Sequence, residues 1–172
     1  MREIKNPWIG SEGYNCFGCC PTNPYGVKMR FYEDDQDVVC FWKPQDCYQS
    51  WINTLHGGIQ SVLLDEVCGW VVAHKFKASG VTAKMETRFR KPVAINQKYI
   101  ELRARLRELK RNIAIVDGEI RSVDGVVLAE CACTYFTFDA AHAPEQVPYN
   151  PTEIIGEELT REEVLTSLEL NV

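Results

Sequence analysis

The hydrophobic pattern of the chain changes period once, near residue 80. Between Ile59 and Val72 the apolar residues Ile59, Val62, Leu63, Leu64, Val67, Cys68, Trp70, Val71 and Val72 surround a helical projection almost completely. This predicts one long buried helix over about Gly57 to Phe76, with Asn53 or Thr54 placed to cap its start. After Val81 the period becomes two. Lys84 to Arg90 alternates and stops before Pro92. In the next run, Tyr99, Glu101, Arg103, Arg105 and Arg107 face away from Ile100, Leu102, Ala104 and Leu106. Asn112 to Ser122 and Val126 to Phe138 are two further strand-like runs, joined by the turn dipeptide Asp124-Gly125.

Ahead of the helix, Val27 to Tyr32 and Val38 to Trp42 flank the acidic stretch from Glu33 to Asp37 and read as a hairpin. Near the end, Thr160-Arg161-Glu162-Glu163 has the spacing of a capping box and predicts a short terminal helix. Two strands, one long helix, four strands and a small helix define an α+β arrangement, in which a curved antiparallel sheet wraps around the helix. Three regions follow: an irregular extension over 1–26, rich in glycine and proline, a main domain over 27–140, and an acidic tail over 141–172.

Composition narrows the class. A chain of 172 residues, 45% hydrophobic and 25% charged, suits one globular domain. No run approaches the ~20 apolar residues of a membrane span, and the first residues lack a secretory apolar stretch. A cytoplasmic location with reduced cysteines is the expectation. The net charge of -5 is unevenly spread: residues 84–111 carry ten basic and three acidic side chains, and residues 139–172 carry eight acidic and one basic. The basic stretch could meet a phosphorylated ligand, or it could be a solvated strand face balanced by the acidic tail. Nucleic-acid binding is not expected of an acidic chain without a recognisable binding motif.

Eight cysteines are many for this length. Cys16-x-x-Cys19-Cys20 is the one metal-like cluster, but no second C-x-x-C or closely spaced His pair completes a ligand set, so no metal is expected. Cys40, Cys68, Cys131 and Cys133 read as packing residues.

The chemistry centres on the helix. Adjacent acids, Asp65 and Glu66, interrupt its apolar surface. A carboxylate there must be ion-paired, protonated or used, because an unpaired buried charge costs several kcal/mol. Arg88, Arg90 and Lys84 are candidate ion-pair partners; a general base or nucleophile is the functional alternative. At the helix start, His56-Gly57-Gly58 leaves N–H groups open to a closely approaching acceptor, as an oxyanion hole requires. Gly58 and Asp65 are seven residues apart, about 10 Å along one helix. For both to act on one carbonyl, the Asp65 must come from a second subunit related by a two-fold axis.

These residues carry a resemblance. His56-Gly57-Gly58 followed by Asp65 is similar to the signature of hotdog-fold acyl-CoA thioesterases, especially the phenylacetyl-CoA thioesterase-like branch. Cys16-Phe17-Gly18-Cys19, Asn23-Pro24-Tyr25-Gly26-Val27, Arg88-Phe89-Arg90-Lys91-Pro92-Val93, and Asp124-Gly125 with Ala129-Glu130 extend the similarity over roughly 16–138. The resemblance implies hydrolysis of an acyl-CoA thioester to free acid and CoA, with no cofactor other than the CoA of the substrate. It implies Asp65 as nucleophile or general base, Gly57 and Gly58 as carbonyl-polarising groups beside His56, and Thr82 and Gln49 in auxiliary roles. Arg88, Arg90 and Lys91 are then candidates for the CoA phosphates. Glu66, about 100° from Asp65 on the helix, ranks behind it, and Trp51, Trp70 and Phe89 are candidate pocket aromatics. A homodimer with shared sites, possibly paired into a tetramer, is implied. A non-catalytic acyl-CoA sensor and a hotdog dehydratase or hydratase are the alternatives.

Overall fold

The structure, a computed structural model, describes residues 1–170. The central helix α1 (Gly57–Lys75) buries Leu63, Leu64, Val67, Cys68 and Val71 completely. Each such aliphatic residue contributes roughly 1.5–3 kcal/mol by leaving water, which fixes the helix to the sheet without a polar face. Around α1 curves one antiparallel sheet built from β1 (Arg2–Lys5), β2 (Phe31–Asp34), β3 (Asp37–Trp42), β4 (Ser79–Phe89), β5 (Ile100–Lys110), β6 (Ile113–Arg121), β7 (Val127–Phe138) and β8 (Glu153–Ile155). The spatial order is β4-β7-β6-β5-β3-β2-β1-β8. The predicted helix and the four strands after it are present, with β4 beginning earlier than the alternation indicated.

One glycine sets the distance between helix and sheet. A Cβ on Gly118 of β6 would lie 2.7 Å from Cys68 Sγ on α1 and 2.9 Å from Cys131 Sγ on β7. Gly125 takes the left-handed conformation (φ 78°) in the turn between β6 and β7 that Asp124-Gly125 announced.

Other parts differ from the sequence reading. The extension and the tail are built into the sheet: β1 pairs with β2, and β8 pairs with β1. In the first hairpin the strands are Phe31–Asp34 and Asp37–Trp42. Lys28, at φ 54°, breaks the extended run, and Val27 and Met29 donate their N–H groups to Phe17 and Gly18 carbonyls instead. The cap of α1 is neither Asn53 nor Thr54 but His56. The second helix, α2 (Arg161–Leu170), has the predicted capping box: Glu163 N–H donates to Thr160 Oγ1, and Thr160 N–H to Glu163 Oε2. It packs Val164 on Tyr32, Val39 and Phe41, covering the sheet face turned away from α1. No helix among the described residues is long and apolar enough to cross a membrane.

Candidate active site

Asp65 sits half-buried where α1 passes over β4 and β7. Thr82 Oγ1 donates to Asp65 Oδ1 over 2.9 Å. Tyr135 donates its hydroxyl to the Asp65 backbone carbonyl at 2.8 Å and also lies 3.1 Å from Oδ1. Oδ2 accepts no hydrogen bond among the described residues, so one oxygen is fixed and the other is open. Thr82 adjoins the β-bulge of β4, between Thr82 and Lys84, which aims its side chain at the helix. Tyr135 escapes the sequence reading. Its signal is a tyrosine on the inward face of a strand, where a buried hydroxyl must find a partner.

The helix start is about 10 Å away along the same α1. His56 caps it, with Nδ1 accepting from the Gly58 N–H at 2.9 Å. That amide is therefore engaged, while no hydrogen bond from the Gly57 N–H is present among the described residues. The Gly57 Cα lies against Phe89, the last residue of β4: a Cβ there would be 3.5 Å from the ring. Within one chain the glycines and Asp65 are thus not brought together.

Glu66 points elsewhere. It points under the N-terminal segment, where Cys16 Sγ is 3.7 Å from its Oε2 and Trp70 Nε1 donates to Oε1 at 3.2 Å. Burial, with the charge of Cys16 beside it, pushes the Glu66 carboxyl up to about 7. The Cys16 thiol, hydrogen-bonded with Cys19, is drawn down to about 5 against the opposing effect of burial. A substrate contact by Glu66 is not favoured by this placement.

The other predicted residues scatter. Gln49 folds its carboxamide oxygen onto the Asn53 N–H at 2.8 Å, holding the loop before α1. Trp51 is 84% exposed on that loop, and Trp70 is core, stacked on Phe31 at 4.4 Å. Arg90 forms a two-point pair with Glu130 at 2.8 and 2.5 Å. Arg88 lies on the outer sheet face beside Glu86, Glu119 and Glu130, and Lys91 is exposed just beyond β4.

The basic stretch is balanced mainly by neighbouring strands, not by the tail. Arg103 reaches Asp37, Asp34 and Glu101 at 2.5, 2.8 and 3.0 Å, Arg105 pairs with Asp37, and Arg107 with Asp117. One tail residue joins this network: Arg161, which donates to Glu101 at 2.8 Å.

Beside Asp65 opens a cavity of about 490 Å³, lined among others by Tyr14, Cys16, Gly69, Val72, Ser79 and Tyr135. Its walls are mostly apolar and aromatic, and the buried Ser79 hydroxyl facing it has no partner among the described residues. Such a space can take an apolar group with a hydrogen-bonding atom.

A long helix wrapped by a curved antiparallel sheet, with an anchored helix carboxylate and a glycine-rich helix start, defines a hotdog-fold protein. Residues 52–129 match the family model described as thioesterase superfamily. Over that span, which is less than half of the chain, the sequence is similar to that superfamily. A solved thioesterase superfamily protein is 26% identical with TM-score 0.63, the match covering 67% of this chain and 57% of that one. The chain therefore spans little more than half the length of that relative. A hypothetical thioesterase of Streptococcus pneumoniae, solved with coenzyme A, is 20% identical with TM-score 0.60, covering 64% and 86%. A Streptococcus mutans protein bound to acetyl CoA is 17% identical with TM-score 0.58, covering 64% and 89%. No curated protein matches the sequence.

Proposed function

We propose that the protein hydrolyses acyl-CoA thioesters to the carboxylic acid and CoA at sites shared across a two-fold dimer. The observation that carries this reading is the placement of two half-sites at opposite ends of one strand. Asp65 hangs on Thr82 near the start of β4, and the Gly57-Gly58 helix start lies against Phe89 at its end. β4 is an edge strand of eleven residues with Val81 and Phe89 exposed, a template for pairing. Antiparallel pairing with the same strand of a second copy, centred near Met85 and Glu86, sets Thr82 of one chain opposite Phe89 of the other. Asp65 of one subunit then meets the helix start of its partner.

In that site the thioester oxygen accepts from the free Gly57 N–H, and from Gly58 once the His56 ring swings aside. The open Asp65 Oδ2 either attacks the carbonyl carbon or takes a proton from an attacking water. The tetrahedral oxyanion collapses, the C–S bond breaks, and CoA leaves as a thiolate that takes up a proton. In the water route the proton held by Asp65 is available to it. In the direct route the collapse leaves a mixed anhydride on Asp65, and a water molecule hydrolyses it to the free acid and the Asp65 carboxylate, its second proton going to the thiolate. The chemistry uses no cofactor beyond the CoA of the substrate. In this reading Arg88 and Lys91, exposed at the helix-start end of β4, meet the CoA phosphates, whereas Arg90 must first part from Glu130. The acyl group takes the apolar cavity beside Tyr135, in line with the phenylacetyl-CoA thioesterase-like branch that the motifs resemble.

A dehydratase needs an imidazole poised by an acid, and His56 is exposed with no carboxylate on its ring among the described residues. The test is a panel of short, medium, long and aromatic acyl-CoAs with release of free thiol followed, beside a 2-enoyl-CoA followed for loss of the double bond. Thiol release with the double bond unchanged supports hydrolysis. Hydration without thiol release, or binding without turnover across the panel, contradicts it.

A further inference from the structure

We propose that Cys16, Cys19 and Glu66 form a zinc site that fastens the N-terminal segment to the central helix. The sequence offers Cys16 and Cys19 in C-x-x-C spacing, while the adjacent Cys20 turns its sulfur to Thr22 Oγ1 at 3.3 Å; the fold supplies the third ligand from α1, fifty residues away from Cys16. The two sulfurs and a carboxylate oxygen all lie within 4.8 Å of one another. Cys16 Sγ is 3.8 and 3.7 Å from the two Glu66 oxygens. Sulfur and oxygen ligands of one tetrahedral zinc stand about 3.5 Å apart, given bond lengths of about 2.3 and 2.0 Å. Closing the Cys16–Glu66 edge around an ion thus asks for a shift of a few tenths of an ångström.

Each of the three groups meets a hydrogen-bond donor from its surroundings. Gly18 N–H donates to Cys16 Sγ at 3.3 Å. Asn6 Nδ2 donates to the Tyr14 oxygen at 2.8 Å, which leaves the Tyr14 hydrogen for Cys19 Sγ at 3.0 Å. Trp70 Nε1 donates to Glu66 Oε1 at 3.2 Å. Each ligand therefore has its own outer donor, from a loop, an N-terminal residue and α1 respectively, the arrangement that orients metal ligands. Gly18 is also required sterically: a Cβ there would lie 2.2 Å from the Glu66 carboxyl group. The loop carries glycine where it must sit on the carboxylate. Cys16 borders the cavity, from which water can reach a fourth coordination position.

The inference is independent of the thioesterase reading, and its test reads metal rather than turnover. The full chain, purified reduced and without chelator, is equilibrated with zinc sulfate, dialysed and analysed for zinc per chain. A parallel sample with cobalt(II) chloride is examined for the thiolate-to-cobalt charge-transfer absorption. The expected result is one zinc per chain and a cobalt spectrum showing thiolate coordination. Both are lost in Cys16→Ser and Glu66→Gln and retained in Asp65→Asn and in Cys131→Ala, which alters the second thiol cluster. Tyr14→Phe keeps all three ligands, so it guards against variants that fail to fold, and should weaken zinc binding about 10- to 100-fold. A folded wild-type chain that takes up neither metal overturns the proposal. So does binding that survives Cys16→Ser, or binding lost with Cys131→Ala.

Discussion

Thr82 and Asp65 are joined by a 2.9 Å hydrogen bond from the threonine hydroxyl to Oδ1, linking the edge strand to the central helix at one point. In the proposed mechanism Thr82 acts through that carboxylate, as a positioning residue. A hydrogen bond to a charged group is worth about 1.5–3 kcal/mol, so Thr82→Val should lower kcat roughly 10- to 100-fold with a smaller change in KM. Thr82→Ser should restore most of the rate. Equal loss in the serine and valine variants would show that the hydroxyl is not what matters.

Tyr135 holds the same aspartate from the other side and also satisfies its backbone carbonyl. Tyr135→Phe removes both contacts without emptying the core. We expect a loss of about 1–3 kcal/mol in unfolding free energy, from the polar group left unpaired, together with slower turnover. Chemical denaturation and steady-state kinetics on the same preparation check this; an unchanged stability would contradict the assigned role.

Gly118 tests the packing of helix on sheet. Gly118→Ala forces a methyl group against Cys68 and Cys131. Overpacking of this kind costs about 1–3 kcal/mol, or a fall of roughly 2–10 °C in Tm for a chain of this size. Adding Cys68→Ala removes the nearer sulfur and should recover part of the loss. Additive destabilisation in the double variant would place the clash elsewhere.

Much of this was legible before the structure, and the boundary is physical. α1 announced itself because its apolar residues surround the helix, and α2 because Thr160 and Glu163 stand three apart. The cap of α1 was misread because Asn53 has other work: it sits at φ 52° and its Oδ1 accepts from the Asn96 N–H at 3.0 Å. β1 and β8 were invisible because strands of four and three residues carry too short a pattern to stand out and form only when a distant strand pairs with them. Distance along the chain also hid the partners of Arg103, which meets Asp34 and Asp37 from 69 and 66 residues away. Of the site, Asp65 and Thr82 could be named from spacing and resemblance. Tyr135 and the Cys16–Glu66 contact needed the fold to bring them together.

Glu33 gives a stability prediction in pH. Burial opposes its ionisation, but donors from Lys75 at 2.7 Å, His74 at 2.9 Å and Arg2 overcome it and hold the carboxyl at about 2. Burial also lowers the His74 pKa, so that ring acts as a neutral hydrogen-bond donor. A depressed carboxyl stabilises the fold in its charged form. Its contribution, at most roughly 3 kcal/mol, is complete above the unfolded value near 4.5 and is lost as pH falls toward 2. Urea unfolding at pH 7 and pH 3 should show Glu33→Gln less stable than wild type at pH 7, with the gap narrowing at pH 3. A gap that stays constant would contradict this coupling.

The shared site predicts a dimer held by β4. Light scattering should give twice the 19.6 kDa chain mass, and Phe89→Asp should produce folded monomers without turnover. Monomers that retain full activity would contradict a shared site.

The central claim rests on Asp65. Its most direct test is free-thiol release from the best acyl-CoA substrate by wild type and Asp65→Asn, measured beside light scattering of both. The account predicts a loss of at least about 100-fold in kcat with the dimer and its Tm preserved. Full activity in a folded Asp65→Asn dimer would contradict it.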